Sequence, residues 1–135
     1  MQIIRKEYLL HRTAYLFLLT FLYGWYRNHS YIVLFPVGSS AFTSINYWRK
    51  PDTSWRWYMD VITVRTMTIY QLVISYNAEY STPFYIVFCS GLLFYPVSKL
   101  LNYYDYYLLH IYAHMGLHIM LNIAGLILFS GEVNL

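Results

Sequence analysis

Charge is what this chain most lacks. Asp, Glu, Lys and Arg make up 11% of its 135 residues, where a soluble domain carries about 25%. With 59% of the residues hydrophobic, a small globule would have to hide more apolar surface than its interior holds. The composition therefore points away from a soluble domain and toward an integral membrane protein, and the length allows one domain. Cysteine is nearly absent. Cys89 stands alone, which excludes an internal disulfide and any zinc-ribbon spacing and leaves the redox compartment open. Glycine and proline are sparse, at six and four residues. They form no Gly-rich phosphate loop and no linker, and no internal repeat or Ser/His/Asp elbow motif appears. The net charge of +3 has no soluble part on which to build a basic surface, so nucleic acid is excluded as a partner.

What the chain has in excess is aromatic. Seventeen Tyr, eight Phe and four Trp make up 21% of it. Tyr and Trp favour the bilayer–water boundary, where the ring is buried and the polar edge stays wet. Clusters such as Tyr23-Gly24-Trp25-Tyr26 and Tyr103-Tyr104-Asp105-Tyr106-Tyr107 read as belts at helix ends. Between them lie five apolar segments, roughly 8–26, 31–48, 58–76, 83–101 and 106–129, joined by short polar stretches. The expectation is an all-α bundle of five transmembrane helices with antiparallel neighbours. The amino end has a basic start and an apolar run like a signal peptide, but no small-residue cleavage site follows, so it reads as the first span. Pro36 and Pro96 should kink their helices, and Pro83 fits a first turn. Asp52, Thr53 and Ser54 are candidate N-caps after Pro51.

Charge placement gives the expected orientation. With five spans, Arg5, Lys6, Arg12, Arg49, Lys50, Arg56 and Lys99 fall on one side and only Arg27 on the other, seven against one. By the positive-inside rule the amino end lies on the cytoplasmic or matrix-like side. Arg65 lies within the third span, where it could pair with Asp60 or Glu79.

The last segment carries a polar stripe, His110, His114, His118 and Asn122, each four residues after the one before. Such spacing places them roughly on one helix face, and polar groups at membrane depth mark a functional or packing face. One reading is interhelical hydrogen bonding. Another is a metal site, because His at i, i+4 can chelate one ion. His110 and His118 are about 12 Å apart by helix rise, so a third ligand must come from another helix. The topology brings His11, Ser44, Asp60, His110 and His114 to one depth near the positive side. Asp60, as a ligand or as the hydrogen-bond partner of one, and Ser44 are the candidates on adjacent helices. A zinc held there could bring a bound water to a pKa of about 7. Haem is disfavoured, since only His11 lies at a matching depth; His29 is at the opposite end. A proton path along the stripe is a further reading.

Ser44 near the end of one helix, Asp60 at the start of the next, and His110-Ile111-Tyr112-Ala113-His114 on the last resemble the CREST superfamily. That group holds alkaline ceramidases, the progestin and adiponectin receptors and GPI-remodelling enzymes. The resemblance implies a zinc site near the cytoplasmic face and hydrolysis of a lipid amide. Asp60, His110 and His114 would hold the metal, and Ser44 would help bind the transition-state oxygen. The chain has Trp48 where the family pattern has a further His, and room for five helices where the family has seven. Two functions follow as expectations. The first is a non-enzymatic structural or accessory subunit of a larger membrane assembly, with membrane lipids and other subunits as partners. The alternative is a CREST-like metal-dependent lipid-amide hydrolase.

Overall fold

A computed structural model describes residues 8–51 and 54–134. They form six α-helices: α1 (Tyr8–Tyr26), α2 (Tyr31–Arg49), α3 (Trp55–Ile74), α4 (Ser81–Leu92), α5 (Phe94–Tyr103) and α6 (Tyr107–Ser130). The all-α expectation holds. Among the described residues the only β pairing is one isolated bridge between Ala78 and Val133.

Helix ends follow local chemistry. α3 starts at Trp55 rather than 58 because Ser54 caps it: the Ser54 hydroxyl accepts the Arg56 N–H at 3.4 Å, meeting a donor that the first turn leaves without a partner. The other two candidate caps, Asp52 and Thr53, lie outside the described residues, as do Arg5 and Lys6. The expected fourth helix is a rod broken at Leu93 into α4 and α5. Pro96 has no N–H for the Leu92 carbonyl, so the ladder fails one turn before it. Pro36, by contrast, is carried inside α2, which continues on both sides of it. Asn28 and Asp105 adopt left-handed backbone, both with φ 63°. In each turn the next N–H reaches back five residues: His29 to the Gly24 carbonyl at 3.1 Å and Tyr106 to the Leu101 carbonyl at 2.9 Å. This closes α1 and α5 in the manner usually left to glycine; Asn and Asp are the side-chain-bearing residues that tolerate it best.

The helices pack in the order α3, α2, α1, α6, with α4 and α5 together on the far flank of α6. α3 has α2 as its main neighbour, whereas α6 is central, packing on α1, α4 and α5. Phe17, Leu34, Phe84, Phe88, Leu121, Leu128 and Phe129 build the core. Small residues let the central helix approach its neighbours: a Cβ at Gly91 would lie 2.7 Å from Met120 Cβ, and one at Gly125 would lie 2.7 Å from Thr20 Cγ2. The outer faces are also apolar, with Leu19, Ile32, Phe35, Phe42, Ile62 and Ile69 all exposed.

Two helical stretches, Ser81–Tyr103 and Tyr107–Ser130, are long and apolar enough to cross a membrane, each with mean hydropathy 1.6. α1, α2 and α3 fall short of that mark. Their Tyr and Trp content and the polar groups His11, Arg12, Asp60 and Arg65 lower their hydropathy.

Candidate functional site: a cavity between α3 and α5–α6

Because α3 leans on α2 and leaves its other flank largely uncovered, a cavity of about 1010 Å³ opens between it and α5–α6, with Phe17 of α1 and Ser44 of α2 in its floor. Every residue singled out for chemistry except His11 and Asn122 lines it: Ser44, Asp60, Arg65, His110, His114 and His118. Trp48, Trp57, Tyr95 and Lys99 complete its polar and aromatic wall, and Val64, Ile69, Leu92, Leu117 and Leu121 its apolar wall.

Ser44 and Asp60 meet directly. The buried Ser44 hydroxyl donates to Asp60 Oδ1 at 2.8 Å, joining the last turns of α2 to the first turns of α3.

The His stripe behaves otherwise than a single face would. Each step of four residues turns a helix about 40° past a full revolution, so from 110 to 122 the direction swings by about 120°. His110 accordingly faces α5, where its Nδ1 lies 2.8 Å from Ser98 Oγ and 3.0 Å from the Ser98 carbonyl. Ser98 Oγ in turn lies 3.1 Å from the His110 carbonyl. All three contacts are satisfied when the His110 Nδ1–H is shared between Ser98 Oγ and the Ser98 carbonyl, and Ser98 Oγ–H donates to the His110 carbonyl. This leaves Nε2 of His110 as an acceptor. His114 turns to α2 and meets the Trp48 ring edge-on at 5.2 Å. His118 and Asn122 reach α1. Thr13 Oγ1 donates to the Leu10 carbonyl at 3.2 Å and can then accept from His118 Nδ1 at 2.8 Å. Thr20 Oγ1 donates to Asn122 Oδ1 at 2.7 Å, while Asn122 Nδ2 donates to the His118 carbonyl at 2.7 Å. His110 and His118 thus each line the cavity and also bond a neighbouring helix, His114 lines it against Trp48, and Asn122, outside the cavity, is interhelical glue alone. His11 sits apart from the cavity, its ring edge-on to Tyr15 at 5.1 Å.

Neither expected partner of Arg65 is the one it bonds. Its Nη2 donates to Tyr95 Oη at 3.2 Å, across the gap between α3 and α5. Glu79 lies at the other end of the bundle, accepting the Glu132 N–H at 2.9 Å. Sequence reading passed over Ser98, Tyr95, Thr13 and Thr20. The last two offered one signal, a spacing of seven that places both on the same face of α1.

A zinc would need three donors at about 2.0–2.2 Å. Among the described residues no group of three or more His, Cys, Asp or Glu side chains could hold a metal ion. Asp60 is engaged by Ser44 on one wall and His110 by Ser98 on the other, and Trp48 stands against His114. The donor set Asp60, His110 and His114 does not fit the ion that the resemblance implies, and no step is derived through it.

No family model, no curated protein and no solved structure matches this chain.

Proposed function

We propose that the chain is a polytopic integral membrane protein that binds an amphipathic molecule drawn from the lipid phase in the cavity between α3 and α5–α6. One observation carries this reading. The same cavity of about 1010 Å³ joins a polar end, formed by Ser44, Asp60, His110 and His114, to a mainly apolar stretch where Phe17, Leu117 and Leu121 flank the His118 ring. Its size is at the top of the usual range for ligand sites, about 300–1,000 Å³. The apolar outer faces and the seven-to-one charge asymmetry support five spans, with the α4–α5 rod counted as one and the amino end on the cytoplasmic or matrix-like side. Membrane lipid is then both the solvent and the source of ligand. The CREST-like route to hydrolysis needs a metal that the donors Asp60, His110 and His114 do not assemble to hold, so binding is the activity proposed.

The test is photolabelling. The protein is placed in phosphatidylcholine nanodiscs with a monoacylglycerol carrying a photoreactive group at mid-chain. Adducts on Phe17, Leu117 or Leu121 that vanish in Leu117→Trp, which fills the cavity, are the expected result. Adducts confined to the outer faces, at Leu19 or Phe35, would overturn the reading.

The accessory-subunit reading keeps one supporting observation. Leu19, Trp25, Tyr26, Ile32, Phe35 and Phe42 form a broad exposed face on α1 and α2, which other subunits could cover. Purification at near-native detergent levels checks it: a stoichiometric partner protein favours a subunit role, and a lone chain removes it.

A further inference from the structure

Arg65 is placed where an arginine is costly. It lies ten residues into a helix of 20, about 15 Å from either end by helix rise, and its side chain is exposed on the cavity side of α3. Among the described residues no carboxylate pairs with it; its bond is to the Tyr95 hydroxyl. A second cation stands beside the same tyrosine. Lys99 Nζ is 5.5 Å from the centroid of the Tyr95 ring, also exposed and also on the cavity wall. A guanidinium, an ammonium and a phenol thus converge on the gap between α3 and α5. Among the described residues the one acid on the cavity wall is Asp60, already held by Ser44. Ionisable groups at membrane depth call for a partner; the two cations can only donate, and Tyr95, whose oxygen accepts from Arg65, has its O–H to give to whatever enters the gap.

We infer that this gap takes the phosphate group of a single-chain lipid, with Arg65, Lys99 and Tyr95 as its donors and the acyl chain lying along Leu117 and Leu121. A phosphate monoester fits better than a carboxylate because it has three acceptor oxygens for three donors, and arginine matches it in a two-pronged geometry. The inference rests on the reading of the cavity as an amphiphile site and adds the class of headgroup.

The experiment compares three single-chain lipids of equal chain length, each displacing the photoreactive monoacylglycerol from nanodisc-embedded protein: 1-oleoyl-glycerol 3-phosphate, oleate and monooleoylglycerol. The phosphate is expected to compete best, by about tenfold over the neutral lipid, the strength of one or two charge-assisted hydrogen bonds. Arg65→Gln and Lys99→Gln should each bring the phosphate down toward the neutral lipid, and an unaltered detergent melting temperature shows that the variants fold. Arg65→Lys should restore part of the phosphate's advantage. Equal competition by all three lipids, or an oleate stronger than the phosphate, overturns the headgroup assignment and leaves the cavity reading intact. If no lipid displaces the probe from the cavity, both readings fail together.

Discussion

Two seams of the bundle, α1 against α6 and α3 against α4–α5, are held in different ways. On the α1 flank the contact is continuous and sewn at every level. Thr13 bonds His118, Thr20 bonds Asn122, and Tyr23 lies 2.8 Å from Ser130. At the far end, Arg27 donates to the Ser130 carbonyl at 2.8 Å and His29 Nε2 lies 2.8 Å from the Phe129 carbonyl. Across the cavity the picture reverses. α3 faces α4 and α5 through two tyrosines, Tyr95 with Arg65 and Tyr85 with the Leu72 carbonyl. On the membrane reading proposed above, no hydrophobic force closes such a gap, and helix association depends on packing and interhelical hydrogen bonds. One half of the molecule is therefore a scaffold, while the other is closed only as tightly as two hydroxyl groups can hold it.

The largest effect expected from breaking this contrast is Gly125→Leu. A Cβ there would lie 2.7 Å from Thr20 Cγ2, so the α1–α6 seam must part, at a cost of about 1–3 kcal/mol. A fall in the detergent melting temperature measures it. Next comes Asn122→Leu, which removes the bonds to Thr20 and to the His118 carbonyl and should destabilise by about 0.6–2 kcal/mol. Titration with a denaturing detergent reads that difference. Ser44→Ala should have a smaller effect on stability, about 1 kcal/mol, because it frees one Asp60 oxygen on the cavity wall; the same titration serves. Tyr95→Phe should change stability by less than about 0.5 kcal/mol. It should nonetheless speed maleimide labelling of a cysteine placed at Val64 in a Cys89→Ser background. If Tyr95→Phe destabilised as much as Asn122→Leu, the two halves would not differ in the way described.

Much of this architecture was legible in the residues, and the reasons differ by element. The carboxyl end of α1 is legible at Tyr26 because an aromatic cluster and the polar joint after it close the helix there. The rod at 83–101 was seen as one helix with a kink, and a proline one turn downstream decided where it broke. α3 was placed three residues late because Trp55, Arg56 and Trp57 resemble a joint in composition, whereas the Ser54 cap decides the start. In the site, Ser44 and Asp60 could be set at one depth, since an antiparallel turn between consecutive helices fixes it, but their bond to each other could not be read. The His stripe was harder. Its period of four looks like one face over two residues, but the accumulated rotation shares it among three neighbours, and which neighbour each His meets depends on packing order. Arg65 with Tyr95 and His110 with Ser98 join residues that no local pattern relates.

The far end of α3 has a consequence of its own. There Tyr70 Oη donates to the Ile32 carbonyl at 2.9 Å, and the segment after α3 is joined to the chain's last residues by the Ala78–Val133 bridge and the Glu79 N–H to the Glu132 carbonyl at 2.8 Å. α3 is thus anchored at its carboxyl end, while its amino end, at Trp55, is held to α2 by the Ser44–Asp60 bond. A rod of 20 residues pivoting about such an anchor works as a lever. It is about 30 Å long, so a tilt of about 10° at the anchor would carry the Trp55 end through about 5 Å, roughly the width of an acyl chain.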